Sequence, residues 1–464
     1  MKIAKLKIKN SFLFLGAFFV AGFIFFGINV NSAEAAITIS GTIYTSDLVD
    51  FYDCSGNTLS VMVEVNGAGD YTADCTANDG TWSVSSVTIG QAGDVVTVFL
   101  NGETEKAATV IKAEDTVTDI YYMDMAISLL LVGNYSGSFT NADLDQYDNT
   151  CNSGTGDSDL PFCVDGGDLT VSDGFDTIIG NAVFTPGGSI TTSPSSDGTD
   201  SNVDGDLSIF GGLIEMEAND LSVGGDLFGF NISYIGSQTT TFTATGSGFE
   251  ISGNDTYNNL VFNGSGGEWT TTGTTTLDGD LTVTDGTFIT TDDITGTSGH
   301  TFSVSNGAFF EMSGISVYPA SFSTYTYGAT STVSYLQTDG TTVTNATYGH
   351  LNLKPAGATP LVLPASLNGI AGNLTIGDGT NAGATASANN PTITVTGDVT
   401  IAAGANFTST SGVLSIGGNY SNDGTFTNNS GTVTFTATDS GNTIGGTLSS
   451  ASDFSKLIFN GSGG

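Results

Sequence analysis

A five-residue phrase returns along this chain: Gly, then Asp or Asn, an aliphatic residue, Ser or Thr, and a second aliphatic. It reads Gly167-Asp168-Leu169-Thr170-Val171, Gly205-Asp206-Leu207-Ser208-Ile209, Gly279-Asp280-Leu281-Thr282-Val283, Gly372-Asn373-Leu374-Thr375-Ile376 and Gly397-Asp398-Val399-Thr400-Ile401. Looser copies stand at Gly225-Asp226-Leu227 and Gly418-Asn419-Tyr420, and several neighbouring copies lie 20, 21 or 25 residues apart. A strand-plus-turn unit at such a period marks solenoids and arrays, where a coil that cannot close a core alone buries its apolar face on its neighbours. Alternation such as Thr432-Val433-Thr434-Phe435 puts apolar side chains on one face and threonines on the other. Gly supplies the turn conformations with φ > 0, and Asp bonds locally to backbone. From Gly167 onward, at about 22 residues per coil, some 13–14 coils would stack about 4.8 Å apart.

A longer period overlies the short one. Thr256-Tyr257-Asn258-Asn259-Leu260-Val261-Phe262 is echoed by Thr347-Tyr348-Gly349-His350-Leu351-Asn352-Leu353 and by Asp453-Phe454-Ser455-Lys456-Leu457-Ile458-Phe459, with Leu260, Leu351 and Leu457 separated by 91 and 106 residues. Those spacings also permit tandem immunoglobulin-like sandwiches. The shorter period favours a right-handed parallel β-helix. Asn263-Gly264-Ser265-Gly266-Gly267 reappears as the last five residues, Asn460 to Gly464. The expectation is a chain truncated within a repeat.

Composition narrows the partners. There are 47 Asp+Glu, 8 Lys and no Arg, and four of the lysines (Lys2, Lys5, Lys7, Lys9) lie in the first nine residues. Removing residues 1–36 leaves 46 acids against four lysines, net negative by 42. Such a field repels nucleic acid and anionic headgroups and attracts cations. The basic start, the apolar run Ser11 to Val30 and the small residues Ala33-Glu34-Ala35 make a signal peptide over 1–36. The only membrane contact expected is through that segment, cleaved or kept as an anchor, with the remainder extracellular or in the cell envelope. Four cysteines in an exported chain suggest disulfides. Proximity favours Cys54 with Cys75 and Cys151 with Cys163, although three connectivities are open. No CxxC spacing points to zinc.

Residues 37–127 read as a β-sandwich module. Ile37 to Tyr44, Val61 to Val65 and Thr81 to Val84 alternate, Val95 to Leu100 runs into the Asn101-Gly102 turn, and Val117 to Tyr122 would close the set. The order "SGTIY", "DGTWSV", "GDVVTVFLNGE" resembles the carboxypeptidase-regulatory or prealbumin-like sandwiches of secreted proteins, which implies a stalk or spacer. Residues 128–166 form an acidic, cysteine-containing transition, and 167–464 the repeats. There the recurring "TYxxLxF…G…GDLTVxxGTF" pattern resembles bacterial Gly/Thr-rich surface repeat proteins and filamentous-haemagglutinin-type β-helices. That resemblance implies an exported scaffold, adhesin or envelope protein. Neither a secretion-domain signature nor a sortase-type anchor accompanies it.

Chemistry is sparse. Lys106, Lys112, Lys354 and Lys456 are the only cations after the leader, too few for the basic side chains that polysaccharide-cleaving β-helices use on sugar acids. His300 and His350 stand 50 residues apart without a nucleophile motif. His350 falls where Asn259 and Lys456 fall in the sister repeats and reads as a variable exposed position. Asp204 with Asp206, or Asp292 with Asp293, offers paired carboxylates, which ordinary turn chemistry also explains. Asp143, Asp145 and Asp148 concentrate oxygen ligands and are the calcium candidates, with Asp197, Asp200, Asp204 and Asp206 a second acidic cluster. Trp82 suits core packing, and Trp269, at a repeat junction, suits either the core or a sugar-stacking face. The expectation is therefore an all-β chain, a sandwich followed by a solenoid. It would be a non-catalytic structural or adhesive surface protein with no cofactor except possible calcium, meeting surface glycans or the proteins of a host or neighbouring cell. The alternative is a secreted carbohydrate-active β-helix protein that binds or hydrolyses polysaccharide.

Overall fold

Nine-residue alternation makes Ala36–Tyr44 (β1) a strand that buries Ile37, Ile39 and Ile43 on one side. It pairs antiparallel with Thr81–Thr88 (β4), Ile39 opposite Val84 and Gly41 opposite Trp82. A second sheet starts with Leu59–Val65 (β2), which turns through Asn66-Gly67, both at positive φ, into Ala68–Cys75 (β3). On its other side β2 pairs with Val95–Leu100 (β5), and β5 pairs with Ala108–Lys112 (β6), all antiparallel. Between the two sheets lies one apolar cluster with Ile37, Ile39, Val61, Val63, Trp82, Val84, Val96 and Val98. The Cys54–Cys75 disulfide is in the same core, both cysteines fully buried.

The expected closing strand at Val117 to Tyr122 is not there. Only Ile120 bridges to β1, and the regular strand comes later, at Met125–Ala126 (β7), parallel to β1. The reason is that carboxylates stand in for backbone partners: Asp119 Oδ1 accepts from Thr38 N (2.7 Å) and Asp124 Oδ1 from Thr42 N (2.9 Å).

The computed structural model describes residues 35–133, 138–146, 158–172, 174–180, 183–192, 205–210, 213–216, 219–229, 232–234, 236–252, 256–314, 318–337, 340–380, 383–385 and 387–462. The leader lies outside them. Among the described residues no helix is long and apolar enough to cross a membrane. The chain divides into two compact units, one ending at Thr243 and the other starting at Ala244.

Within the first unit the module's sheet changes from antiparallel to parallel. β6 pairs in parallel with Leu129–Gly133 (β8), and β8 with Asp176–Gly180. From there the coils stack: Thr177 on Leu207 and Leu207 on Leu227 in one column, Leu169 on Ile190 and Ile190 on Leu221 in another. β6 thus covers the edge that the first coil would otherwise expose. A single helical turn, Asn141–Leu144, is held by a capping box in which Thr140 and Asp143 bond reciprocally.

The second unit is the same idea repeated. One inward column runs Trp269, Phe288, Phe310, Val333, Leu351, Leu374, Val399, Tyr420, each paired in parallel with the next and each at most 1% exposed. Every second side chain points in, so the column is continuous wherever register holds. Phe262 stacks on Phe288 at 4.1 Å between ring centroids, and Phe302 meets Phe310 edge-on at 4.9 Å. The chain after the module is a parallel β-solenoid. Tandem immunoglobulin-like sandwiches are excluded, because these strands pair in parallel with their successors rather than antiparallel within 90-residue blocks.

Candidate functional site

The recurring phrase is the natural place to look for a site, and its polar residue has a structural partner. In the second unit His350 Nδ1 accepts from Asn373 N (2.9 Å) and Asn373 Oδ1 from Asp398 N (2.9 Å). Asp398 Oδ1 then accepts from Asn419 N (2.6 Å) and Asn419 Oδ1 from Thr443 N (2.8 Å). Each side chain reaches one coil along and takes the amide of its own counterpart. Asn259 and Asp280 do the same for Asp280 N and Thr301 N. In the first unit Asp176 serves Asp206 N, Asp206 serves Asp226 N, Asp168 serves Ser189 N and Asp220 serves Thr239 N.

This ladder explains the glycine in front. The glycines stack too, Gly372 N donating to Gly349 O, Gly397 N to Gly372 O and Gly418 N to Gly397 O at 2.7–3.0 Å. A Cβ on Gly397 would stand 2.3 Å from Asn373 Oδ1 and 2.7 Å from Gly372 O, and one on Gly279 2.4 Å from Asn259 Oδ1. In these second-unit coils only glycine leaves room for the side chain arriving from the previous coil, whereas Gly167, where a Cβ would meet nothing within 4 Å, holds φ 97°. The ladder also separates charge: in the runs Asn373–Asp398–Asn419 and Asn259–Asp280–Thr301 no acid follows an acid. Two carboxylates a strand spacing apart would repel by about 1 kcal/mol even in water. Asp176, Asp206 and Asp226 in the first unit do stack directly.

His350 is therefore a rung rather than a variable surface position. Nδ1 must be unprotonated to accept, so the bond fixes the tautomer. His300 Nδ1 lies 3.4 Å from Asp280 Oδ1 at a half-exposed site. Of the calcium candidates, Asp143 accepts from Thr140 N and Oγ1 and pairs with Lys112 Nζ at 2.8 Å. Asp145 caps the same helical turn at its C-terminal end, and Asp148 lies outside the described residues. Asp206 is a rung, and Asp197, Asp200 and Asp204 lie outside the described residues. Asp292 Oδ2 accepts from Thr291 Oγ1 and Asp293 O from Thr275 N. Among the described residues no group of three or more His, Cys, Asp or Glu is arranged to hold a metal ion. Cys163 is disulfide-bonded, and Cys151 lies outside the described residues. Asp159, four residues before Cys163, meets Lys106 Nζ and accepts from Gly102 N, which ties this residue to the module.

Trp269 is fully buried against Phe262 and Trp82 is 3% exposed, so neither offers a face to a sugar. A feature that the sequence reading missed is a knot of tyrosines inside the second unit. Tyr335 and Tyr348 hydroxyls bond at 2.9 Å, Tyr348 donates to Thr344 O, Tyr325 donates to Pro319 O, and Tyr318 meets Tyr327. Burial pushes the Tyr335 phenol up to about 12, and raises Tyr348, Tyr327 and Tyr318 as well. Their alternation with threonine in Thr324-Tyr325-Thr326-Tyr327 was the available signal. In the module, desolvation lifts the Asp124 carboxyl to about 6, against the opposing bond from Thr42 N.

No family model matches this chain. No curated protein and no solved structure matches it either.

Proposed function

We propose that this chain is an exported, non-catalytic, structural and adhesive cell-surface repeat protein of the extracellular space or envelope. The observation that carries the reading is the Gly-Asx ladder. The Asp or Asn of the recurring phrase is engaged in holding coil on coil, which is what a scaffold requires of the polar residue its repeat specifies. The acidic surface adds solubility and keeps nucleic acid away. Partners are glycans or proteins of facing surfaces.

Two measurements test this. Alkaline phosphatase, which folds only where disulfides form, is placed behind residues 1–127 in a bacterial host. The fusion is expected to be active. The purified chain is then screened against soluble polysaccharides, where no turnover is expected. An inactive fusion would contradict export. Turnover abolished by Asp292→Asn or Asp206→Asn would contradict the non-catalytic assignment and favour a carbohydrate-active enzyme.

A further inference from the structure

The edge of β1 that faces β7 is irregular in one place. Ser40 N donates to Ile120 O (2.9 Å), and Ser40 O accepts from Met123 N (3.0 Å). A regular parallel pair would join Ser40 to residues two apart. Here they are three apart, so Tyr121 and Tyr122 together occupy the place of one residue, which is a β-bulge. Tyr122 adopts φ 67°, a left-handed backbone that costs a residue with a side chain about 1–2 kcal/mol. Burial does not offset this: Tyr121 is 53% exposed, Tyr122 72% and nearby Val117 65%. The bulge is nevertheless firmly held. Asp119 takes Thr38 N through Oδ1 and the Tyr121 hydroxyl through Oδ2 (3.0 Å), and Asp115 Oδ1 takes the amides of Val117 and Thr118. Bulges at sheet edges re-aim side chains, and this one aims two aromatic rings at solvent.

We propose that Val117, Tyr121 and Tyr122 form the docking site for a cationic segment of another protein. An Arg guanidinium or Lys ammonium is attracted to the face of a tyrosine ring. Asp115 and Asp119 on the same segment supply the opposite charge. The charge balance also decides against other occupants. An anionic partner meets a chain of formal charge −39. A second copy carries the same formal charge of −39, and the repulsion between the two chains opposes its approach. A neutral sugar gains nothing from the flanking charge. This deepens the adhesive part of the proposed function and rests on it.

The test titrates a fluorescein-labelled octapeptide of alternating Arg and Gly into the full chain at about 150 mM salt, where screening limits diffuse attraction to about 8 Å. A Glu/Gly octapeptide and dextran serve as comparators. The Arg peptide is expected to bind, Tyr121→Ala/Tyr122→Ala to weaken it about tenfold, and Tyr121→Phe/Tyr122→Phe to hold it within about twofold, because the ring face is kept. The phenylalanine variant also guards against an unfolded alanine variant. Equal binding to the alanine variant would mean diffuse charge alone and overturn the site. So would no binding at all, or tyrosine-dependent binding of dextran. Any of these failures leaves export and the absence of turnover untouched, so they are distinguishable from failure of the scaffold reading.

Discussion

In the N-terminal module strands far apart in sequence pair antiparallel, Ile39 with Val84 and Val61 with Leu100, and a disulfide ties Cys54 to Cys75. In the second unit strands pair in parallel with the next coil, as Leu351, Leu374, Val399 and Tyr420 do at separations of 23, 25 and 21 residues. The module closes one core around non-local contacts and reinforces it with a covalent link. The coils have only neighbours, so their stability is close to a sum of identical interfaces. Two kinds of order follow. Damage to the module's core should reach all of it, whereas damage to a coil should stay near that coil.

The largest expected effect breaks the stack. Gly397→Ala places a Cβ against Asn373 Oδ1 and Gly372 O and should lower the stability of the second unit by about 2–4 kcal/mol. Gly56→Ala in the module meets nothing within 4 Å and should stay within about 0.5 kcal/mol. Equal effects in thermal melts would show that coil glycines are not set by the arriving side chains.

Next is the disulfide. Cys54 and Cys75 are 21 residues apart, a loop whose closure is worth about 3 kcal/mol. Cys54→Ala/Cys75→Ala should lower the module's transition in calorimetry and leave that of the second unit in place.

The third expectation separates the regions by pH. Asp124 titrates near 6 in the folded module, above the ordinary value of about 3.9. Between those values the folded state holds the extra proton, so stability falls as pH rises from about 4 to about 6 and stays lower above. The loss should be about 1–3 kcal/mol and confined to the module. Asp124→Asn, which keeps an acceptor for Thr42 N, should flatten the profile. A slope unchanged by that substitution would assign it elsewhere.

The smallest effect sharpens the ladder itself. Asp398→Ala removes the acceptor for Asn419 N and should cost about 1–2 kcal/mol. Asp398→Asn keeps an oxygen there and should be close to neutral in melting.

Much of the coil architecture was legible, because Gly-Asp-Leu-Thr-Val and its relatives state the strand, the turn and the period together. The reason for Gly before Asp was not. It depends on which residue of the previous coil lies beneath, and register is a property of the stack. His350 was misjudged for the same reason: beside Asn259 and Lys456 it looked like an unconstrained column, yet imidazole nitrogen and amide oxygen are both acceptors. In the module, alternation located β1, part of β2, β4 and β5. It misplaced the closing strand because Val117 to Tyr122 has strand-like composition while Asp119 and Asp124 take the amides that a strand would bond. Trp269 was ambiguous at a junction where the period offers no phase, and its burial follows from stacking on Phe288.

Amide hydrogen exchange at Asn419, compared between the wild-type chain and Asp398→Ala, tests the ladder most directly. Protection in the wild type that is lost at Asn419 in the variant, with the inward column around Val399 still protected, is the result this account requires. An Asn419 amide that exchanges at the same rate in both would mean that the recurring acid or amide does not hold one coil to the next.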